Sequence, residues 1–132
     1  MRTVTGFFLV AAAVLAACSG GGRSGSGVAT PKAGVVEVTA FEWGFEPETI
    51  TIPLAESVRF AFSNDGEALH NLEIDDLDAD GIESDGSGLF VEASPGEGST
   101  LVFTPNESGE FEFYCTISGH RGRGMVGTLI VR

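Results

Sequence analysis

Gly109-Glu-Phe-Glu-Phe-Tyr-Cys115-Thr-Ile-Ser-Gly-His120-Arg-Gly-Arg-Gly-Met125-Val-Gly-Thr-Leu-Ile-Val131 is the stretch whose reading decides the fold. Its two ends alternate side chains with a period of two, which is the spacing of a strand with one buried face. Its middle, 116–124, is rich in Gly and cannot continue either strand. The spacing predicts an antiparallel hairpin over Gly109–Cys115 and Met125–Val131, with Cys115 and Met125 at the same end and His120 in the loop between them.

Working outward, Val35 to Phe41, Thr49 to Ile52, Ser57 to Phe62, His70 to Asp75 and Ser99 to Phe103 show the same period, separated by Gly, Pro, Asn and Asp. With the hairpin this makes seven runs over Val35–Arg132. So many strands on so short a chain predict an all-β domain, a Greek-key β-sandwich or barrel of about seven to eight strands. The segment 76–98 has room for a short helix. Ten Phe and 19 Gly in 132 residues suit short strands and tight turns.

Strand parity then assigns faces. Val58, Phe60 and Phe62 alternate with Arg59, so their side is the core. His70 shares parity with Leu72 and Ile74, Cys115 with Phe111 and Phe113, and Met125 with Leu129 and Val131. Three side chains capable of binding a metal therefore point inward, and each sits at the end of its strand. If His70 starts a strand at the pole where the hairpin turns, His70, Cys115, His120 and Met125 converge.

The first 17 residues form a secretory leader, with cationic Arg2 ahead of an apolar stretch from Phe7 to Ala17 that is short for a membrane span. Leu15-Ala-Ala-Cys18 is similar to a bacterial lipobox, in which the cysteine is acylated; an ordinary signal peptide with a structural Cys18 is the alternative. The expected organisation is a signal peptide over 1–17, a lipidated Cys18 with a flexible Gly/Ser-rich linker over 18–34, and one domain over 35–132. A lipid at Cys18 places the domain outside the cytoplasm, on the periplasmic or cell-surface face of a bacterial membrane. It also leaves Cys115 as the only thiol.

The formal charge is −12, and −13 once Arg2 leaves with the leader. Phosphate would repel such a chain, which excludes nucleic acid as a partner. Asp76-Leu-Asp-Ala-Asp80-Gly81 matches the opening of a calcium loop. The twelfth position is Ser87 rather than the bidentate Glu such a loop needs, so the segment reads as a solvated acidic loop. Arg121 and Arg123 flank His120 in this acidic background, as solvated loop residues or as a docking spot for an anionic partner.

Two imidazoles, a thiolate and a weak thioether form the donor set of a trigonal copper site with a long axial bond. Zinc is the rival metal for Cys and His, but structural zinc prefers four strong ligands and rarely accepts Met. His70-Asn71, the Cys115–Met125 loop, the Tyr-Cys pair ending the Phe-Glu-Phe strand, and Phe45-Glu-Pro47 before Thr49-Ile-Thr-Ile together resemble the cupredoxin family over Val35 to Arg132. The resemblance implies one type 1 (blue) copper ion held by equatorial His70, Cys115 and His120 with Met125 axial, and Asn71 tying the two ligand loops together. Four residues separate Cys115 from His120, and four separate His120 from Met125, a loop closer to azurin-like or sulfocyanin-like members than to plastocyanin-like ones.

The same resemblance implies an electron carrier rather than an enzyme. Its partners would be redox proteins such as c-type cytochromes or membrane oxidoreductases, and the carrier itself is expected to be a monomer. Copper enzymes built on this fold need further His, and both His of this chain are already engaged. Copper storage or delivery without a redox circuit is the other reading.

Overall fold

The computed structural model describes residues 27–132. The leader and Cys18 lie outside the described residues. Eleven strands follow in order: β1 Val28–Ala29, β2 Val35–Phe41, β3 Gly44–Glu46, β4 Thr49–Ile52, β5 Val58–Asn64, β6 His70–Ile74, β7 Ala79–Glu83, β8 Leu89–Ala93, β9 Gly98–Pro105, β10 Gly109–Tyr114 and β11 Val126–Val131. They form a six-stranded sheet in the order β1-β4-β11-β10-β6-β8 and a five-stranded sheet in the order β3-β2-β5-β9-β7. The fold is an all-β sandwich, as the periodicity predicts.

Alternation builds the core from both layers. Val36, Val38 and Ala40 of β2, Phe60 and Phe62 of β5, and Leu101 and Phe103 of β9 are buried from the five-stranded sheet. Ile50, Ile52, Leu72, Val91, Phe113, Leu129 and Val131 meet them from the other. Phe45 of β3 meets Phe113 of β10 edge-on at 5.3 Å, clamping one layer onto the other, and Phe60 meets Phe103 in the same geometry within its sheet. Each such aromatic pair adds about 0.5–1.5 kcal/mol beyond area burial.

The deciding hairpin forms in the predicted register, from Gly109 opposite Val131 to Tyr114 opposite Val126. One step further, the Cys115 N–H donates to the Met125 carbonyl at 3.1 Å, so the two residues face each other across the mouth of the loop. Gly127 sits opposite Phe113, and a Cβ there would come within 2.1 Å of the Phe113 ring. The absence of a side chain lets that ring cross the sheet.

Four strands lie outside the seven sequence runs. The segment 76–98 holds β7 and β8 where the sequence left room for a helix. In β8, Leu89, Val91 and Ala93 are buried at period two against β6. β7 is an exposed edge with an irregular register against β9, so its sequence shows no alternation. β1 falls inside the stretch expected to be linker. Its two residues pair in parallel with Thr49 and Ile50 of β4, extending the ordered domain back to Val28. β1 and β3 are two and three residues long, too short to carry a period.

Candidate metal centre

At one pole of the sandwich the structure brings together His70 at the start of β6, Cys115 just past β10, His120 in the loop and Met125 just before β11. His70, Cys115 and Met125 are fully buried and His120 is 9% exposed. One donor atom from each of His70, Cys115 and His120 lies within 4.8 Å of the others. Cys115 Sγ and His120 Nδ1 are 3.5 Å apart.

The loop is wound to reach this pole. His120 N–H donates to the Ile117 carbonyl, while the His120 carbonyl accepts from the Arg123 and Met125 N–H groups. Gly119 and Gly124 take the left-handed backbone, at φ +83 and +110, which a side chain would strain. The single turn Arg121–Arg123 closes the loop over His120.

The two imidazoles are held differently. His70 Nε2 lies 2.9 Å from Glu42 Oε1, whereas His70 Nδ1 is buried with no hydrogen-bond partner. His120 is held below the ordinary imidazole range, first by burial, then by His70 and by Arg123. Each of these causes disfavours the charged imidazolium. Burial pushes the Glu42 carboxyl up, but hydrogen bonds from the Ala68 N–H, His70 and the Glu67 N–H outweigh it and leave Glu42 below the usual carboxylate range.

Trp43 and the two arginines frame the pole. The Trp43 ring stands edge-on to His120 at 4.8 Å and to His70 at 6.4 Å, and the Arg123 guanidinium lies 4.3 Å from its centroid. Arg121 stacks 4.0 Å over Tyr114 and pairs with Glu112. Both arginines are exposed, and each lies over an aromatic ring.

A family model for the cupredoxin-like domain matches residues 7–131. The chain belongs to the cupredoxins. It is 34% identical over 98 residues to a copper-resistant cuproprotein, CopI, of Rubrivivax gelatinosus, covering 67% of this chain and 59% of that protein. With the plastocyanin of Prochlorothrix hollandica it shares 33% identity over 87 residues, covering 66% of this chain and 62% of that one. Among solved structures, reduced auracyanin from Roseiflexus castenholzii superposes with a TM-score of 0.59 at 19% identity, covering 75% of this chain and 97% of that one. This last likeness concerns the fold alone.

The donor set of this cupredoxin fits the copper its family binds. An unpartnered buried nitrogen is a cost the folded chain carries unless something satisfies it. Here His70, whose Nδ1 is unpartnered, belongs to a cluster whose other members are a soft thiol and an imidazole held below its ordinary range, with a thioether residue opposite the thiol. That combination is compatible with a type 1 copper site.

Asn71, the residue after His70, is also buried. Its Oδ1 accepts from the Thr116 N–H at 2.7 Å and its Nδ2 donates to Thr116 Oγ1 at 2.9 Å, joining β6 to the residue after Cys115. Glu42, Trp43 and Thr116 are not among the residues that strand parity or motif spacing marks. Trp43 is the chain's one tryptophan, and that is the only signal that could have marked it. Glu42 reaches His70 across 28 positions, a contact no local pattern encodes.

Proposed function

We propose that this cupredoxin is a type 1 copper protein that shuttles single electrons between extracytoplasmic or membrane-bound redox partners, with His70, Cys115, His120 and Met125 as its ligands. When bound, copper supplies the one-electron couple. The protein supplies the rest. His70 and Cys115 are fixed at strand ends, His120 is held by loop hydrogen bonds, and Met125 is pinned by its backbone contact with Cys115. Asn71 locks the two ligand-bearing segments against each other, which favours a site that changes shape little when its charge changes.

Burial of all four donors is the observation that carries this reading. A catalytic metal keeps an open position for substrate, whereas buried donors shield the metal and leave electrons, not molecules, as the cargo. Purified protein given Cu(II) is expected to develop an intense visible thiolate-to-copper band that is lost on reduction and never forms in Cys115→Ser. Titration with no such band would overturn the proposal.

Copper storage or delivery is the second reading, favoured by the likeness to a protein named as copper-resistant. The two separate kinetically. Stopped-flow reduction by c-type cytochromes with retention of copper supports the carrier; rapid loss of Cu(I) to a chelator supports delivery.

The lipobox-like Cys18 supports anchorage at a membrane facing the periplasm or exterior. Cys18→Ser is expected to move the protein from the membrane fraction to the soluble one, read by fractionating cells that express each form. Arg121 and Arg123 are proposed to receive an anionic partner surface beside His120.

A further inference from the structure

We propose that Glu42 is a positioning residue for the metal centre. By accepting the Nε2–H of His70 it fixes that imidazole in the tautomer whose Nδ1 lone pair faces the cluster, and its charge favours the oxidised form of the site. The inference rests on the copper reading above.

Three observations converge on Glu42. His70 is fully buried, and its two ring nitrogens have opposite fates: Nε2 meets Glu42 Oε1 at 2.9 Å, and Nδ1 has no hydrogen-bond partner. A neutral imidazole has one donor and one acceptor nitrogen, and a carboxylate can only accept. Nε2 must therefore carry the proton, and Nδ1 is left as the ligand atom.

Second, Glu42 is itself held in place. Its Oε1 also accepts from the backbone N–H groups of Glu67 and Ala68, both at 2.9 Å. One oxygen thus gathers three donors from the segment leading into β6, and its side chain is 28% exposed, so water competes only in part. A carboxylate restrained in this way sets the ring angle of His70 as well as its tautomer.

Third, the segment is shaped to admit it. A Cβ on Gly66 would lie 2.6 Å from both carboxylate oxygens and 2.8 Å from His70 Nε2. Only glycine leaves room for the carboxylate and the imidazole to meet.

The electronic consequence follows from charge. A carboxylate behind an imidazole raises its basicity as a ligand. A more basic ligand, next to a fixed negative charge, stabilises the more positive metal state and lowers the reduction potential. His120 has no such partner, so the two imidazoles are electronically unequal donors.

The test compares Glu42→Gln, which keeps an acceptor oxygen but removes the charge, with Glu42→Ala, which removes both. Glu67→Gln is the control, because it removes an exposed charge from the same segment without touching the backbone N–H that Glu42 uses. In metal-free protein, nitrogen-15 spectra of the imidazoles should show His70 as the Nε2–H tautomer in wild type and in Glu42→Gln, and as a mixture in Glu42→Ala. In copper-loaded protein, Glu42→Gln should favour Cu(I) over Cu(II) by about tenfold relative to wild type, about 59 mV for one electron. Glu67→Gln should change that ratio by less than about twofold.

Equal shifts for Glu42→Gln and Glu67→Gln, an unaltered tautomer in Glu42→Ala, or an unchanged potential in Glu42→Gln would each overturn the assignment. Wild type that takes up no copper would instead overturn the copper reading, and the tautomer measurement on metal-free protein would still decide the positioning role.

Discussion

Asn71 shows how much of the site depends on single hydrogen bonds. Replacing it with Ala leaves the Thr116 N–H without an acceptor in a partly buried position, which costs about 1–3 kcal/mol. At about 4–8 °C per kcal/mol for a domain of this size, Asn71→Ala should melt at least about 4 °C below wild type by calorimetry. A shift under about 2 °C would mean that water replaces the bond at no cost. Residues such as His70, Cys115 and Met125 were legible in the sequence because strand parity alone points them inward. Glu42 was not, because its partners Glu67, Ala68 and His70 arrive from a segment far along the chain. Trp43 belongs with Glu42: its contact with both imidazoles is created by the fold, and nothing around it in the sequence distinguishes it from a core aromatic.

Between β6 and β10 a small acidic cluster tunes stability with pH. Glu73 lies opposite Tyr114 in the register, and the Tyr114 hydroxyl donates to Asp75 Oδ2 at 2.5 Å. Burial, and then the Asp75 carboxylate, push the Glu73 carboxyl above its ordinary value. A raised carboxyl favours the folded state when protonated, so its contribution is full below about pH 4.3 and is lost as pH rises through the folded value. Glu73→Gln should therefore melt higher than wild type at about pH 7 and lose that advantage by about pH 3.

Tyr114 is pushed up to about 12, chiefly by its hydrogen bond to Asp75. Its stabilising contribution is intact below about pH 10 and disappears as pH rises toward that value. Melting curves of Tyr114→Phe should accordingly be flatter than those of wild type across the alkaline range. The elements themselves were legible in proportion to how far burial imposes a period. The seven long runs all appear as strands, and β8 shows alternation once its Gly-rich flanks are recognised as turns. β7 lies exposed at an edge, and β1 depends on pairing with β4 for its existence.

Across the whole molecule the formal charge of −12 makes Arg121 and Arg123 a local exception beside His120. If an anionic partner docks there, Arg121→Glu together with Arg123→Glu should slow electron transfer at low ionic strength. The difference from wild type should shrink as salt screens it, with a screening length of about 8 Å at physiological strength. A rate unchanged at low salt would remove the arginines from the docking surface. The carboxyl-terminal strand has a further consequence. β11 lies inside its sheet, between β10 and β4, with Thr49 paired in parallel to Thr128 at the far end of the sequence. The sheet closes only when β11 enters between its two neighbours, and Met125, with the backbone pair it forms with Cys115, comes into place with it. The four candidate ligands are therefore gathered only when β11 is seated. On the copper reading proposed above, an ion that arrives before β11 docks meets the thiol and imidazoles without the thioether residue opposite them, and the full donor set exists only once that strand is in.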